Sequence, residues 1–281
     1  MTLTLESQSF PASEIRGELR AFKRQKCYGY CLASLDETEI DRFLDVEGIL
    51  NSARTAKDSL GTTAGIFSLN GADFFIKRYN AYSFKRKFRQ LFGMPRPFRT
   101  MRATEEMLKL HIAVPQLIMA LERKDSFFTR CQAIITVAYP EPLTVAEQIS
   151  FAAADGVIGG FLTSVARLAA KIHRHNIVHG DMKMQNILMR QLSDMEFALG
   201  LFDFDGVQFG PVSMRKRCKE VARIITSFIK VCRQNDIQIE QERVESTVRS
   251  AYNEAAKIEL DPAILKRYLR QIAAHKERYP L

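Results

Sequence analysis

His179-Gly180-Asp181-Met182-Lys183-Met184-Gln185-Asn186-Ile187-Leu188 (HGDMKMQNIL) sets a carboxylate and an amide five residues apart, with an ammonium between them. The apolar run Ile177-Val178 leads straight into it. A lone His-Gly-Asp is compatible with a strand ending in a turn. Three unlike polar groups crowded at a strand end point instead to a site. Working outward, a second polar cluster follows the alternating stretch EFALGLF: Asp203-Phe204-Asp205-Gly206, again at the exit of a predicted strand.

Phosphoryl transfer from ATP asks for few groups, held in fixed places. One carboxylate accepts or orients the proton of the attacking hydroxyl. A second carboxylate and an amide oxygen hold magnesium, a hard cation that prefers oxygen ligands. A strand Lys grips the non-transferred phosphates, and a Glu on the next helix orients that Lys. The chain fills these roles in order. Lys77 ends the predicted strand FFIK, and Glu105 lies on the following helix with Glu106 as its neighbour. Asp181 and Asn186 lie in HGDMKMQN, and Asp203 opens DFDG.

HGDMKMQNIL followed by LFDFDG resembles the catalytic and metal-binding loops of protein-kinase-like enzymes. With FFIKRY, EEMLKLHIAVPQ and the helix end IHRHNIV, the chain resembles one branch more closely, the lipopolysaccharide core kinases of the Kdo/WaaP group. The likeness runs from about Thr62 to Val207 and is sharpest from Ile172 to Gly206. It implies an α+β, two-lobed protein-kinase-like fold, with a small β-rich N-terminal lobe and a mainly helical C-terminal lobe. The expected division is 1–139, nucleotide-binding, and 140–281, catalytic and substrate-binding. It implies Asp181 as catalytic base, Asn186 and Asp203 as magnesium ligands, and Lys77 on the α/β-phosphates, paired with Glu105. Lys183 is read as a second catalytic group that steadies the γ-phosphate, with a solvated loop lysine as the rival reading. Asp205 touches metal or caps the following turn; both readings stay open.

The departures narrow the acceptor. Gly180 stands where protein kinases carry Arg before the catalytic Asp, which argues against control by a phosphorylated activation loop. No Ala-Pro-Glu follows Asp203-Phe204-Asp205, and the helical stretch RKRCKEVARIITSF begins within about ten residues, leaving little platform for a peptide. The phosphate-loop region ARTAKDSLGTTAG lacks GxGxxG; Arg54 and Lys57 are there as compensating charges or as solvated loop residues. A sugar acceptor fits best: the implied reaction is ATP- and magnesium-dependent phosphorylation of a heptose or Kdo hydroxyl of the lipopolysaccharide inner core. Two other readings are carried. One is a phosphotransferase for a small hydroxyl compound of the aminoglycoside or choline-like kind, which commonly lacks the loop Lys. The other is a catalytically silent, membrane-associated binding module.

Composition agrees with a soluble globular chain, 46% hydrophobic and 26% charged, and the +9 net charge favours an anionic partner. The N-terminus lacks a basic start followed by a long apolar core, so no secretory signal is expected. Five cysteines without a repeated pairing pattern fit a reducing cytosol, and Cys27 and Cys31, with no second Cys/His pair nearby, read as ordinary thiols. The expected location is cytoplasmic. Phe84–Arg102, rich in Lys and Arg with Phe84, Phe88, Leu91 and Phe92 on one helical face, suits peripheral contact with the anionic inner membrane or packing on the small lobe. It carries no nucleic-acid motif, so no nucleic-acid partner is expected.

Periodicity supplies the elements. DETEIDRFLDVEGIL reads as a helix, TTAGIFSLNGADFFIKRY as a hairpin turning at Asn70-Gly71, and ATEEMLKL as a helix running into a Pro-terminated loop. A short strand at ITVAY precedes a lobe boundary near Tyr139–Pro142. Phe161, Leu162, Val165, Leu168, Ala169 and Ile172 mark the apolar face of an amphipathic helix beginning near Ile158. Asp261-Pro262 reads as a further helix start.

Overall fold

The structure, a computed structural model, describes residues 17–24, 26–80, 94–124, 130–138, 157–193 and 196–278. The chain divides into two compact units, one formed by Ser9–Leu108 with Val114–Pro140, the other including Lys109–Ala113 and Glu141–Leu281. The Phe84–Phe92 face and the expected lobe boundary lie outside the described residues.

The first unit is a seven-stranded antiparallel sheet. β1 (Leu19–Arg24) and β2 (Cys27–Leu32) form a hairpin, with Cys27, Gly29 and Cys31 buried at alternate positions of β2 as a half-buried strand requires. That hairpin precedes the helix expected to come first. Two helices then follow where one was read: α1 (Glu37–Leu44) and α2 (Val46–Ser52). Asp36 and Glu39 close a capping box on α1, and the Asp45 carboxylate accepts from Gly48 N, so a fresh N-terminus is made in mid-segment.

β3 (Arg54–Ser59), β4 (Thr62–Leu69) and β5 (Ala72–Tyr79) form a meander. Asn70 and Gly71 both have positive φ, 52° and 79°, the backbone that a two-residue hairpin turn needs. α3 (Arg96–Lys109) follows, then β6 (Leu117–Lys124) and β7 (Arg130–Val137). The strand order is β1-β2-β6-β7-β5-β4-β3, which makes β5 an interior strand with Lys77 opposite Ala64 on β4 and Ile134 on β7. Ile40, Phe43, Val46, Ile76, Met119, Leu121 and Ile135 form its core, and the Phe43 ring lies edge-on to Phe74 at 5.4 Å.

The second unit is mainly helical. α4 (Ile158–Arg174) buries the face read from its periodicity, with Ile158 itself half-buried. After it come β8 (Ile177–Val178), a 3-10 turn at Met184–Asn186, the hairpin β9 (Ile187–Ser193) and β10 (Glu196–Leu201), a second 3-10 turn at Phe204–Gly206, and β11 (Gln208–Phe209). α5 (Met214–Gln234), α6 (Gln241–Ala256) and α7 (Pro262–Arg278) complete it. α4 packs chiefly on α6 and α5 on α7, with Phe161 stacked on Phe228 at 6.1 Å. Asp261 Oδ1 accepts from Ala263 N and Ile264 N, so Asp261-Pro262 starts a helix as read. The fold is thus α+β, an antiparallel sheet followed by helices. Among the described residues no helix is long and apolar enough to cross a membrane.

Candidate functional site

The polar groups of HGDMKMQN emerge where β8 ends and the following 3-10 turn begins, and their side chains meet. Asn186 donates through Nδ2 to the Asp181 carbonyl at 2.8 Å and to Asp181 Oδ2 at 3.2 Å. Lys183 Nζ lies 3.0 Å from the same Oδ2. The Asp181 carboxylate is therefore steered by an amide and an ammonium, while its 40% exposed side chain leaves it reachable from solvent. With Nδ2 committed to Asp181, Asn186 turns its Oδ1 to be the acceptor available for a cation. Asp203 follows β10, whose residue Leu201 pairs with Ile187, directly after Asn186 in the chain. Phe202 N donates to Asn186 O at 3.2 Å, so two backbone links carry Asp203 to the Asn186 segment. Asp203 adopts a left-handed backbone, φ 61° and ψ 64°, an uncommon conformation for a residue with a side chain and one that concentrates at functional sites. An amide oxygen and a carboxylate are the hard donors that magnesium takes, so the residues present fit that ion.

Gly180 explains the departure from the protein-kinase pattern. Its φ is +84°, and a Cβ there would meet the Gly206 carbonyl, with Gly206 Cα at 3.0 Å. No Arg side chain fits. Replacing Gly180 with Ala should cost about 2–3 kcal/mol of unfolding free energy through strain alone. Denaturant titration of Gly180→Ala checks this, and a midpoint equal to that of the parent protein would contradict it.

The backbone of this loop is held from α5, by residues that sequence reasoning did not single out. Glu220 is 1% exposed; its Oε1 accepts from Gly180 N at 2.6 Å and its Oε2 from His179 N at 3.1 Å. His173 Nε2 is 2.8 Å from the same Oε2, and His173 Nδ1 is 2.7 Å from the Tyr252 hydroxyl. Arg217 Nη1 donates to that hydroxyl at 2.9 Å. Because the Glu220 carboxylate can only accept, His173 carries a proton on Nε2. Burial pushes the Tyr252 phenol up to about 12, against the pull of Arg217. Burial also pushes the Glu220 carboxyl up, but His173, His179 and the Gly180 N–H outweigh it and hold the group below its ordinary value. Arg223, one turn further along α5, donates to the Gly180 carbonyl, and Ser227 Oγ accepts from Met184 N at 3.2 Å. His179 closes the set, its Nε2 3.0 Å from the Phe202 carbonyl. Glu220 had a sequence signal: a lone acid between apolar residues on the inward face of RCKEVARII.

In the sheet unit, Lys77 Nζ lies over the Tyr79 ring at 5.4 Å from its centroid, and Arg96 approaches the same ring at 5.5 Å. On α3, Glu105 is exposed and Glu106 half-buried. The ARTAKDSLGTTAG region is the β3–β4 hairpin, turning at Leu60-Gly61. Asn80 braces the turn: its Nδ2 donates to Ser59 O and its N to Gly61 O, each at 3.1 Å. Arg54 and Lys57 are exposed on β3. Cys27 and Cys31 are buried.

Comparison with known proteins then gives three results. A profile of the Lipopolysaccharide kinase (Kdo/WaaP) family matches residues 49–252. No curated protein matches the chain. Among solved structures, WaaP in complex with acyl carrier protein is similar at 18% identity and a TM-score of 0.61, covering 84% of this chain and 92% of that one.

Proposed function

Because this chain belongs to the lipopolysaccharide kinase (Kdo/WaaP) family, we propose that it transfers the γ-phosphate of ATP to a heptose or Kdo hydroxyl of the lipopolysaccharide inner core. The observation that carries the reading is the Asp181 carboxylate, oriented by Asn186 and Lys183 on a loop whose backbone α5 grips. In this mechanism Asp181 takes the proton of the acceptor hydroxyl as the new oxygen–phosphorus bond forms and the bond to the leaving diphosphate breaks. Asn186 Oδ1 and Asp203 would hold magnesium, which would supply charge neutralisation at the phosphates. Lys183 rests on Asp181 in the structure; swinging off it would bring an ammonium to the transferring group without a new residue. Lys77 is assigned to the non-transferred phosphates, with Glu105 or its neighbour Glu106 orienting it. The protein is proposed to work in the cytoplasm, on a glycolipid at the face of the inner membrane.

Asp203→Ala provides the test of the metal role. The variant should keep its fold, lose the magnesium-dependent part of the ATP-induced rise in Tm, and transfer phosphate to extracted core glycolipid roughly a thousandfold more slowly. A magnesium-dependent shift like that of the parent protein would remove Asp203 from the ligand set. The neighbour was solved with acyl carrier protein, a partner that no motif here points to; retention of this chain on a tagged carrier protein is the direct check.

A further inference from the structure

Beyond its first turn, α5 is buried almost all round. From Cys218 to Cys232 the residues that are not buried are Lys219, Arg223, Thr226 and Lys230, spaced four, three and four apart. At 100° per residue they fall on one line, which Lys216 extends by one turn. The solvent-facing line of this helix is therefore cationic, and its one acid, Glu220, faces inward. Among the described residues, none of Lys216, Lys219, Arg223 and Lys230 has a carboxylate within ion-pair distance. A helix that merely needed a soluble edge would be served as well by mixed charge, with i, i+4 Glu–Lys pairs. Like charges in a row repel one another, and together they attract an anion.

The line runs beside the loop that carries Asp181. Arg223 donates to the carbonyl of Gly180, the residue before Asp181, and Ser227 binds the backbone of Met184, three residues after it. The loop bearing Asp181 thus lies against the middle of α5, with Lys219 on one side of the Arg223 contact and Lys230 on the other. From Lys216 to Lys230 the line runs about 21 Å at 1.5 Å per residue, longer than a single sugar.

We propose that this line is the acceptor-binding track: it holds an oligosaccharide that carries several carboxylate or phosphate groups, so that a hydroxyl between them meets Asp181. This rests on the sugar-kinase reading but adds the surface and its charge requirement. Lys219 and Lys230 bind anionic groups flanking the target, and Arg223 orients the loop through Gly180 while its remaining N–H groups face the acceptor.

The test is the double variant Lys219→Gln/Lys230→Gln, two surface changes outside the catalytic loop, compared with the parent protein by Tm and by titration with purified core oligosaccharide. The variant should keep its Tm, bind the oligosaccharide about tenfold or more weakly, and bind ATP unchanged. Parent binding should weaken as salt is raised, and an oligosaccharide stripped of phosphate with its carboxylates reduced should no longer distinguish the two proteins. Equal affinity of parent and variant, or parent protein that fails to bind the oligosaccharide, overturns the proposal. Loss confined to vesicles of anionic phospholipid, with oligosaccharide binding unchanged, also overturns it and makes the line a membrane contact. Because binding is read without turnover, absent phosphate transfer by the parent protein would count against the kinase reading and leave this result to stand or fall separately.

Discussion

Asp181→Ala should lower kcat for phosphate transfer to core glycolipid by roughly a thousandfold while leaving the KM for ATP within about a factor of three. The asymmetry follows from geometry. Asp181 is held by Asn186 Nδ2 and Lys183 Nζ and is 40% exposed, so its loss removes no buried packing. An exposed ion pair of this kind adds about 0–1 kcal/mol to stability, so Tm should scarcely move. What disappears, in the proposed mechanism, is a proton acceptor beside the attacking hydroxyl. Lys183, released from its partner, cannot replace it, because an ammonium has no lone pair to offer. Asp181→Asn keeps the shape and should be equally slow. Activity within a few-fold of the parent protein in either variant would mean that the hydroxyl loses its proton elsewhere.

Glu220→Ala should be the most destabilising single change in the helical unit, by about 3–5 kcal/mol. It strips the acceptor from His179 N and Gly180 N and leaves His173 Nε2 without its partner, all of them buried or partly buried. Glu220→Gln separates positioning from bulk stability. The amide keeps the size but has one oxygen, so its NH2 must face one of three donors. Its kcat should fall about tenfold or more with little change in the KM for ATP, because the loop before Asp181 is displaced and the nucleotide contacts are not. Unfolding also gains a pH signature. Glu220 binds its proton more weakly in the folded chain than its ordinary value of 4.5 implies. The stability it contributes is therefore complete above that value and is lost as pH falls toward the depressed folded pKa. Glu220→Gln should flatten this part of the acid limb. An acid limb that stays as steep as in the parent protein would show that another carboxylate carries it.

What could be read from sequence and what could not divide by contact range. HGDMKMQN and DFDG are local: each packs its polar groups within a few residues, at the exit of an apolar stretch, so type and spacing were visible. Asn70-Gly71 and Asp261-Pro262 were legible for the same reason, since turn and cap chemistry reside in adjacent residues. The α+β order of strands then helices was also visible in the periodicity. The β1–β2 hairpin is hard to read in sequence because the inward positions of CYGYC are Cys27, Gly29 and Cys31, two thiols and a glycine rather than large apolar side chains. β6 was missed because LIMALERK is buried through its first six residues and carries no period-two signal. The α1–α2 break turned on one Asp side chain choosing Gly48 N. The clamp on Gly180 lay furthest out of reach: Glu220 and Arg223 sit about forty residues from the loop they hold, and Tyr252 about eighty from His173. Only folding makes them neighbours.

The most direct measurement is transfer of label from γ-labelled ATP to purified inner-core glycolipid by the parent protein with magnesium, followed by locating the phosphate by mass spectrometry of the oligosaccharide. The account predicts one labelled phosphate on a sugar hydroxyl, absent when Asp181→Ala replaces the parent protein. A folded parent protein that leaves the glycolipid unlabelled, or a variant that labels it at the parental rate, would contradict it.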